Sequence, residues 1–368
     1  MSENERRILR RDPHPHLFRP LELRSVTARN RIMLSPMCQY SAVDGLPNDW
    51  HLMHLGARAA GGAGIVFTES VHFEARGRIT HHCLGLWNDE QRDAFARIAA
   101  FIEGQGAVPA IQLGHAGRKA SVTRPWEGTQ PLEGDAGWET IGPSPIGFGR
   151  LPAPTEMDRS TIDTVIEASG TATRRAREAG FKIVEVHAAH GYLIHQFLSP
   201  LSNRRTDGYG GDFASRCRFL METIDAMRAE WAEDLPMFVR LSCTDWVEGG
   251  WDLEQTVALV DRLKGRGDID LIDCSTGGND PRQKIAVHPG YQVPFSEAVR
   301  SRTGMPTSAV GLIHGPDLAE EIIANGRADL VCIGRALLAD PHWPFKAAKA
   351  LRAEGVTWPV QYERSDIF

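Results

Sequence analysis

Eight short runs of apolar and β-branched residues recur along the chain: Arg31–Leu34, Gly64–Thr68, Val108–Leu113, Lys182–His187, Met237–Leu241, Ile269–Cys274, Pro306–Val310 and Leu330–Ile333. Most are continuous rather than alternating, the pattern of parallel strands covered on both faces. Between them lie stretches long enough for helices. Asp89–Glu103 and Asp158–Glu178 are the plainest, with Asp near each start and Gly just past each end, and Ser215–Trp231, Leu253–Lys264 and Pro316–Asn325 follow the same logic. Alternating strands and helices imply a parallel sheet in an α/β protein. Eight such units favour closure into a (β/α)8 TIM barrel over an open sheet. No G-x-G-x-x-G lies between a strand and a helix, so a dinucleotide-binding Rossmann domain has little support. One connection, His115–Pro154, is rich in Gly, Pro and Trp and too long for a simple link; it reads as an excursion after the third strand that caps the barrel mouth. The expected organisation is a mobile tail over 1–16, the barrel over 17–353 and a C-terminal arm over 354–368.

Composition narrows the class. Of 368 residues, 42% are hydrophobic and 24% charged, as in ordinary globular proteins. The net charge of -6 and the lack of a long basic run argue against nucleic acid as a partner. Arg6, Arg7, Arg10 and Arg11 stand near the start, but no apolar stretch follows them, so the beginning does not read as a secretory signal. No apolar run approaches the ~20 residues of a membrane span. The six cysteines include no C-x-x-C pair, which suits buried free thiols and a reducing cytoplasm better than a disulfide framework.

Barrels of this kind gather their working groups at the C-terminal ends of the strands. Ser35-Pro36-Met37-Cys38-Gln39-Tyr40 follows the first run, while Gln112 and His115-Ala116-Gly117-Arg118-Lys119 mark the third. His187-Ala188-Ala189-His190-Gly191-Tyr192 closes the fourth, Arg240 and Ser242 the fifth, and Gly311 and Gly334-Arg335 follow the seventh and eighth. Read alone, His187 and His190 suit two N–H donors aimed at one oxygen, a metal pair, or surface imidazoles. Tyr192 keeps its proton at neutral pH and could deliver it to carbon, or could pack with its hydroxyl satisfied. Cys38 and Tyr40 suit a buried thiol and a core ring equally. Arg240, at the end of an apolar strand, needs either an anionic ligand or an internal Asp or Glu. Gln112 can both donate and accept. Gly311 would let backbone N–H groups approach a phosphate between the last two strand ends, with Gly334 and Arg335 adding an N–H and a guanidinium fork. A metal-dependent hydrolase using His51/His54 or His187/His190 would need carboxylates at the strand ends, and they are not where such a site requires them.

The strings SPMCQY, HAGRKAS, EVHAAHGYLIHQFLSPLSNRRTDGYGG, DLIDCSTGG, PGYQVPF and LVCIGRALLADP resemble the Old Yellow Enzyme family, most closely its thermophilic-like subclass, over Leu17 to Arg364. The resemblance implies non-covalent FMN reduced by NADPH (or NADH), and an ene-reductase acting on α,β-unsaturated carbonyl or nitro compounds, small electrophilic alkenes. It implies that His187 and His190 hold the substrate oxygen and that Tyr192 protonates the α-carbon. Cys38 would lie beside the flavin and tune its potential, with Ser35, Pro36, Met37 and Ser70 nearby; Ser70 stands where the subclass leads one to expect Ala or Gly. Gln112 would meet the flavin pyrimidine, Arg240 the charge of the reduced ring, and Gly311, Gly334 and Arg335 the phosphate. Tyr40 would face substrate. Arg364 would reach the neighbouring subunit's active site, making the enzyme a homodimer or homotetramer. A non-catalytic flavin barrel is the nearest competitor. The dienoyl-CoA reductase type is rejected because no closely spaced cysteine set could hold its iron–sulfur cluster.

Overall fold

The computed structural model describes residues 14–365; of the expected mobile tail, residues 1–13 lie outside the described residues. Eight parallel strands close a barrel: β1 (Ile32–Leu34), β2 (Ile65–His72), β3 (Val108–Gly114), β4 (Ile183–Ala188), β5 (Met237–Ser242), β6 (Leu271–Ser275), β7 (Thr307–Ala309) and β8 (Leu330–Ile333), with β8 pairing back onto β1. The helices of the outer ring are α1 (Asp49–Ala60), α2 (Asp89–Gly104), α3 (Arg159–Glu178), α4 (Phe213–Glu230), α5 (Leu253–Arg266), α6 (Val293–Thr303), α7 (Pro316–Ala324) and α8 (Trp343–Leu351). This is the (β/α)8 TIM barrel that the alternation of runs predicts.

The apolar runs sort onto two faces because successive side chains of a strand point oppositely. Ile32, Leu34, Val66, Ile111, Val184, Val239, Ile272 and Val331 pack outward against the helices. Met33, Ile65, Phe67, Ala110, Ile183, Phe238, Leu271, Leu330 and Cys332 fill the interior. A hairpin of Leu21–Leu23 and Val26–Ala28, absent from the sequence reading, closes the base by adding Leu23, Val26 and Ala28 to that interior cluster. Helix starts follow the capping chemistry. Asp158, Asp212 and Asp252 accept from Thr161, Ser215 and Gln255 backbone N–H groups at 2.7, 2.8 and 2.9 Å, and Asn48 and Asn88 form capping boxes.

Above the apolar floor the register stacks a polar layer. Gln112 aligns with Glu185, Arg240 with Asp273 and Asp273 with Ser308, so these side chains share the inner face. Two residues further along each strand, on the same face, Gly114, His187, Ser242 and Ser275 form the rim. The alignment of β2 with β3 slips between Phe67 and Ser70, a bulge that inserts one extra residue. It returns Ser70 to the inner face beside Gln112 and frees Glu69 to point sideways.

The excursion after β3 is ordered rather than structureless. It holds short 3-10 turns at Gly117–Lys119, Pro125–Glu127 and Gly134–Ala136, and a two-residue strand, Ile141–Gly142, paired in parallel with Thr155–Glu156. Among the described residues, no helix is long and apolar enough to cross a membrane.

Candidate active site

The rim brings three aromatic groups of the fourth strand loop together. The His187 ring lies 5.2 Å from His190 and 5.0 Å from Tyr192, centroid to centroid, both edge-on. The turn between them is tight. His190 takes a left-handed φ of 60° and Gly191 one of 71°; a Cβ on Gly191 would stand 2.2 Å from the Gly278 carbonyl oxygen of the loop after β6. Only glycine permits that approach. The Ser242 hydroxyl accepts from the His190 backbone N–H at 2.9 Å and donates to the Gly277 carbonyl at 2.8 Å, tying the β5 end to both loops.

Both imidazoles are neutral at pH 7: burial first, then the Arg240 guanidinium, holds His187 and His190 well below the ordinary histidine range. The Ala189 backbone N–H reaches His187 Nδ1 at 3.4 Å, which leaves that ring's proton on Nε2. His190 Nε2 lies 2.7 Å from Ser275 Oγ. Burial pushes the Tyr192 hydroxyl far up, so it stays protonated at neutral pH. The arrangement offers neutral N–H donors beside a phenolic proton donor.

Loop Ser35–Tyr40, after β1, separates two cavities. Tyr40 lines one of about 340 Å³ with Ile79, Lys119, Phe148, Leu151 and Tyr192, which places part of the excursion over the strand ends. Met37 lines the other, of about 260 Å³, with Gln292, Gly311, His314, Gly334 and Arg335 at the ends of β7 and β8. The loop is pinned by Glu69, whose Oε2 accepts from Gln39 N at 3.0 Å while Oε1 meets His51 Nε2 at 3.3 Å. His51 is therefore committed to a structural pair. Burial, reinforced by Glu69, pushes the Cys38 thiol well up, which makes it a poor nucleophile and a thiol donor at neutral pH.

Beneath the rim, Arg240 Nε lies 3.1 Å from Asp273 Oδ2, and Ser308 donates its hydroxyl to Asp273. The internal acid that the sequence left open is thus Asp273. Gln112 donates to Glu185 at 2.7 Å, and burial, with Asp273 second, pushes the Glu185 carboxyl up. Glu185 and Asp273 escaped the sequence reading. A signal existed: each precedes a rim residue, His187 or Ser275, by two positions and so shares its face. Lys119 stood in a quoted string without a role, yet its amine donates to the His190 and Gly278 carbonyls at 2.9 Å each.

Loop Ser35–Cys38, Ser70, Gln112, Arg240, Gly311, Gly334 and Arg335 therefore all belong to one mouth. Gly311 keeps the β7 end open: a Cβ there would lie 3.1 Å from Gln292 N. Arg335 is exposed at the same end. A flat, polar-edged ring with an anionic tail fits this donor set, with amide and guanidinium groups toward the ring and an open glycine-lined cradle beside an exposed arginine for the tail. Arg364, by contrast, lies in the exposed turn Val360–Ser365 and lines neither cavity; the arm before it stacks Trp358 on Phe345, centroids 4.2 Å apart. Among the described residues, no group of three His, Cys, Asp or Glu is placed to hold a metal ion.

Comparison with known proteins agrees with this geometry. The profile of the NADH:flavin oxidoreductase / NADH oxidase family matches residues 16–354. An NADPH dehydrogenase of Geobacillus thermodenitrificans is 45% identical over 95% of this chain and 98% of its own length, and one of Bacillus subtilis is 44% identical with the same coverage. Among solved structures, morphinone reductase superposes with a TM-score of 0.77 at 26% identity, covering 92% of this chain and 90% of its own. A 2-naphthoyl-CoA reductase reaches 0.83 at 28% identity, but this chain spans only 52% of it.

Proposed function

This chain belongs to the NADH:flavin oxidoreductase / NADH oxidase family, the Old Yellow Enzyme group of FMN- and NADPH-dependent oxidoreductases, and from that premise we propose that it is an ene-reductase for α,β-unsaturated carbonyl and nitro compounds. The observation that carries the reading is the convergence of His187, His190 and Tyr192 on one mouth beside a cavity of about 340 Å³. FMN, when bound, supplies the hydride that it has taken from NADPH, the two substrates using the mouth in turn. Gln112 and Arg240 would hold its ring beside Ser35–Cys38 and Ser70, and Gly311, Gly334 and Arg335 its phosphate.

The chain's own residues do the rest. Neutral N–H groups of His187 and His190 hold the substrate oxygen and stabilise the charge it gains as the double bond is reduced. Tyr192 gives its proton to the α-carbon. Tyr40 and the excursion enclose the alkene and exclude water. Cys38 would donate its thiol hydrogen to the flavin. We place the enzyme in the cytoplasm as a homodimer or homotetramer joined through the 354–368 arm, with Arg364 reaching the adjoining subunit.

The test is the visible spectrum of the purified protein. Flavin colour bleached by anaerobic NADPH and restored by cyclohexenone supports the reading; reduced flavin that cyclohexenone leaves untouched refutes it. His190→Ala should slow reoxidation by the enone at least tenfold more than it weakens FMN binding. Loss of FMN with turnover per bound flavin intact would remove the substrate role of that histidine.

A further inference from the structure

Lys119 is an unpaired cation in the substrate cavity. Its amine is enclosed by two carbonyls, His190 O and Gly278 O, each at 2.9 Å, and by two aromatic faces: Phe148 of the excursion at 4.5 Å and Tyr192 at 5.0 Å from the ring centroids. No carboxylate among the described residues lies within ion-pair distance of it. Neighbouring Arg118 is committed elsewhere, to the Ile146 and Asn279 carbonyls. A cation taken out of water without a counter-ion is expensive. Such a placement suits a site where negative charge appears only during the reaction. The ring beneath it is where that charge arises, because a phenol that yields its proton becomes a phenolate.

We propose that Lys119 acts through Tyr192 in the proposed ene-reductase reaction: its ammonium, strapped over the phenol ring, offsets the negative charge that the ring takes on as the hydroxyl proton passes to the substrate carbon. The inference rests on the ene-reductase reading. The O–H bond of Tyr192 breaks, the Cα–H bond forms, and the phenolate regains its proton from solvent after product leaves.

Titration supports the geometry. Burial, then Arg118, lowers the Lys119 amine to about 7. The titratable groups around it are Arg118 beside it, Tyr40 from the loop after β1, Arg150 from the excursion, and His187, His190 and Tyr192 from the β4 loop, with the Cys38 thiol acting on the two tyrosines and Asp280, paired with Arg282, acting on Arg118. The histidines stay neutral and the tyrosines and thiol protonated across neutral pH. Loss of positive charge as pH rises through about 7 therefore belongs to Lys119.

The experiment compares Lys119→Gln, which keeps a donor for the strap but no charge, with Lys119→Met, which keeps neither. Stopped-flow absorbance follows flavin reduction by NADPH, reoxidation by cyclohexenone, and reoxidation by ferricyanide, which needs no proton at carbon. Both variants should slow the cyclohexenone step by about thirty- to hundredfold and lose its alkaline limb near pH 7, with the NADPH and ferricyanide steps within about twofold. Phe148→Ala, which wets the amine, should move that limb upward. A Lys119→Gln enzyme that behaves as wild type, or equal slowing with ferricyanide, overturns the inference alone. Wild-type enzyme that ferricyanide oxidises and cyclohexenone does not overturns the ene-reductase reading, and the inference with it.

Discussion

Arg240 stands between Asp273 and Glu185 in a buried layer above Phe238 and Leu330 and beneath the rim. Two carboxyl groups sharing one guanidinium cannot both ionise cheaply in such a place, and the upward push on Glu185 is the fold's answer: it keeps that proton. Removing the arginine strands the acids. Arg240→Met is expected to lower stability by about 3–5 kcal/mol, read from urea midpoints at pH 7. A cost below about 1 kcal/mol would show that the acids simply take up protons and that the cation is kept for the flavin. The same layer marks how far single residues could be read from the sequence. His187, His190 and Tyr192 were legible because they fall in one long motif, and Cys38 because it falls in the short string Ser35–Tyr40. Glu185, Asp273 and Lys119 were not, because their importance lies in register across strands and in loops that meet only in space.

Since continuous β-branched runs leave little choice of period, the strands were legible to within two residues at their ends, except that β2 runs four residues past the expected Thr68 to His72. What the pattern could not give is the bulge in β2, which a string of apolar residues hides, and the helices α1, α6 and α8; α1, capped by Asn48, follows a polar loop rather than an apolar cue. The bulge matters for the site. It turns Ser70 inward against Gly114, and a Cβ on Gly114 would stand 3.0 Å from the His187 Cβ and 3.1 Å from Ser70 Oγ. Strands β2, β3 and β4 can hold His187 at the rim only because that position is bare. Gly114→Ala should therefore displace His187 by a few tenths of an ångström and slow the alkene step about tenfold. Stopped-flow reoxidation by cyclohexenone, beside an FMN titration by fluorescence, checks this. Equal losses in both would place the crowding on the flavin rather than on the histidine.

At the scale of the molecule, the fold encloses an unusual number of neutral histidines. His54 and His72 are lowered to about 3, each chiefly by burial, and His187 and His190 lie well below their ordinary value for the same reason. Below pH ~6.5 the unfolded chain binds protons that the folded chain refuses, so stability is complete above that pH and is lost as pH falls toward about 3. Each histidine contributes a slope of about 1.4 kcal/mol per pH unit in that window. The usual carboxylates, such as Glu74 lowered to about 2 by its His115 and Arg76 partners, titrate only further down. Glu185, whose carboxyl is pushed up, gives a slope of opposite sign over the range from pH 6.5 to 5, so a single histidine is isolated there by comparing its variant with wild type. Within it, His72 is the cleanest probe: it is buried at the end of β2, and its ring nitrogens find no well-aligned hydrogen-bond partner. Replacing it with an apolar residue removes both the proton linkage and the cost of unsatisfied polar atoms. His72→Leu should match or slightly exceed wild type at pH 7 and gain about 2 kcal/mol on it at pH 5, one and a half pH units at the slope above. Urea melts at the two pH values under saturating FMN measure the difference directly. An advantage of His72→Leu that is equal at the two pH values would mean that His72 takes up its proton within the fold.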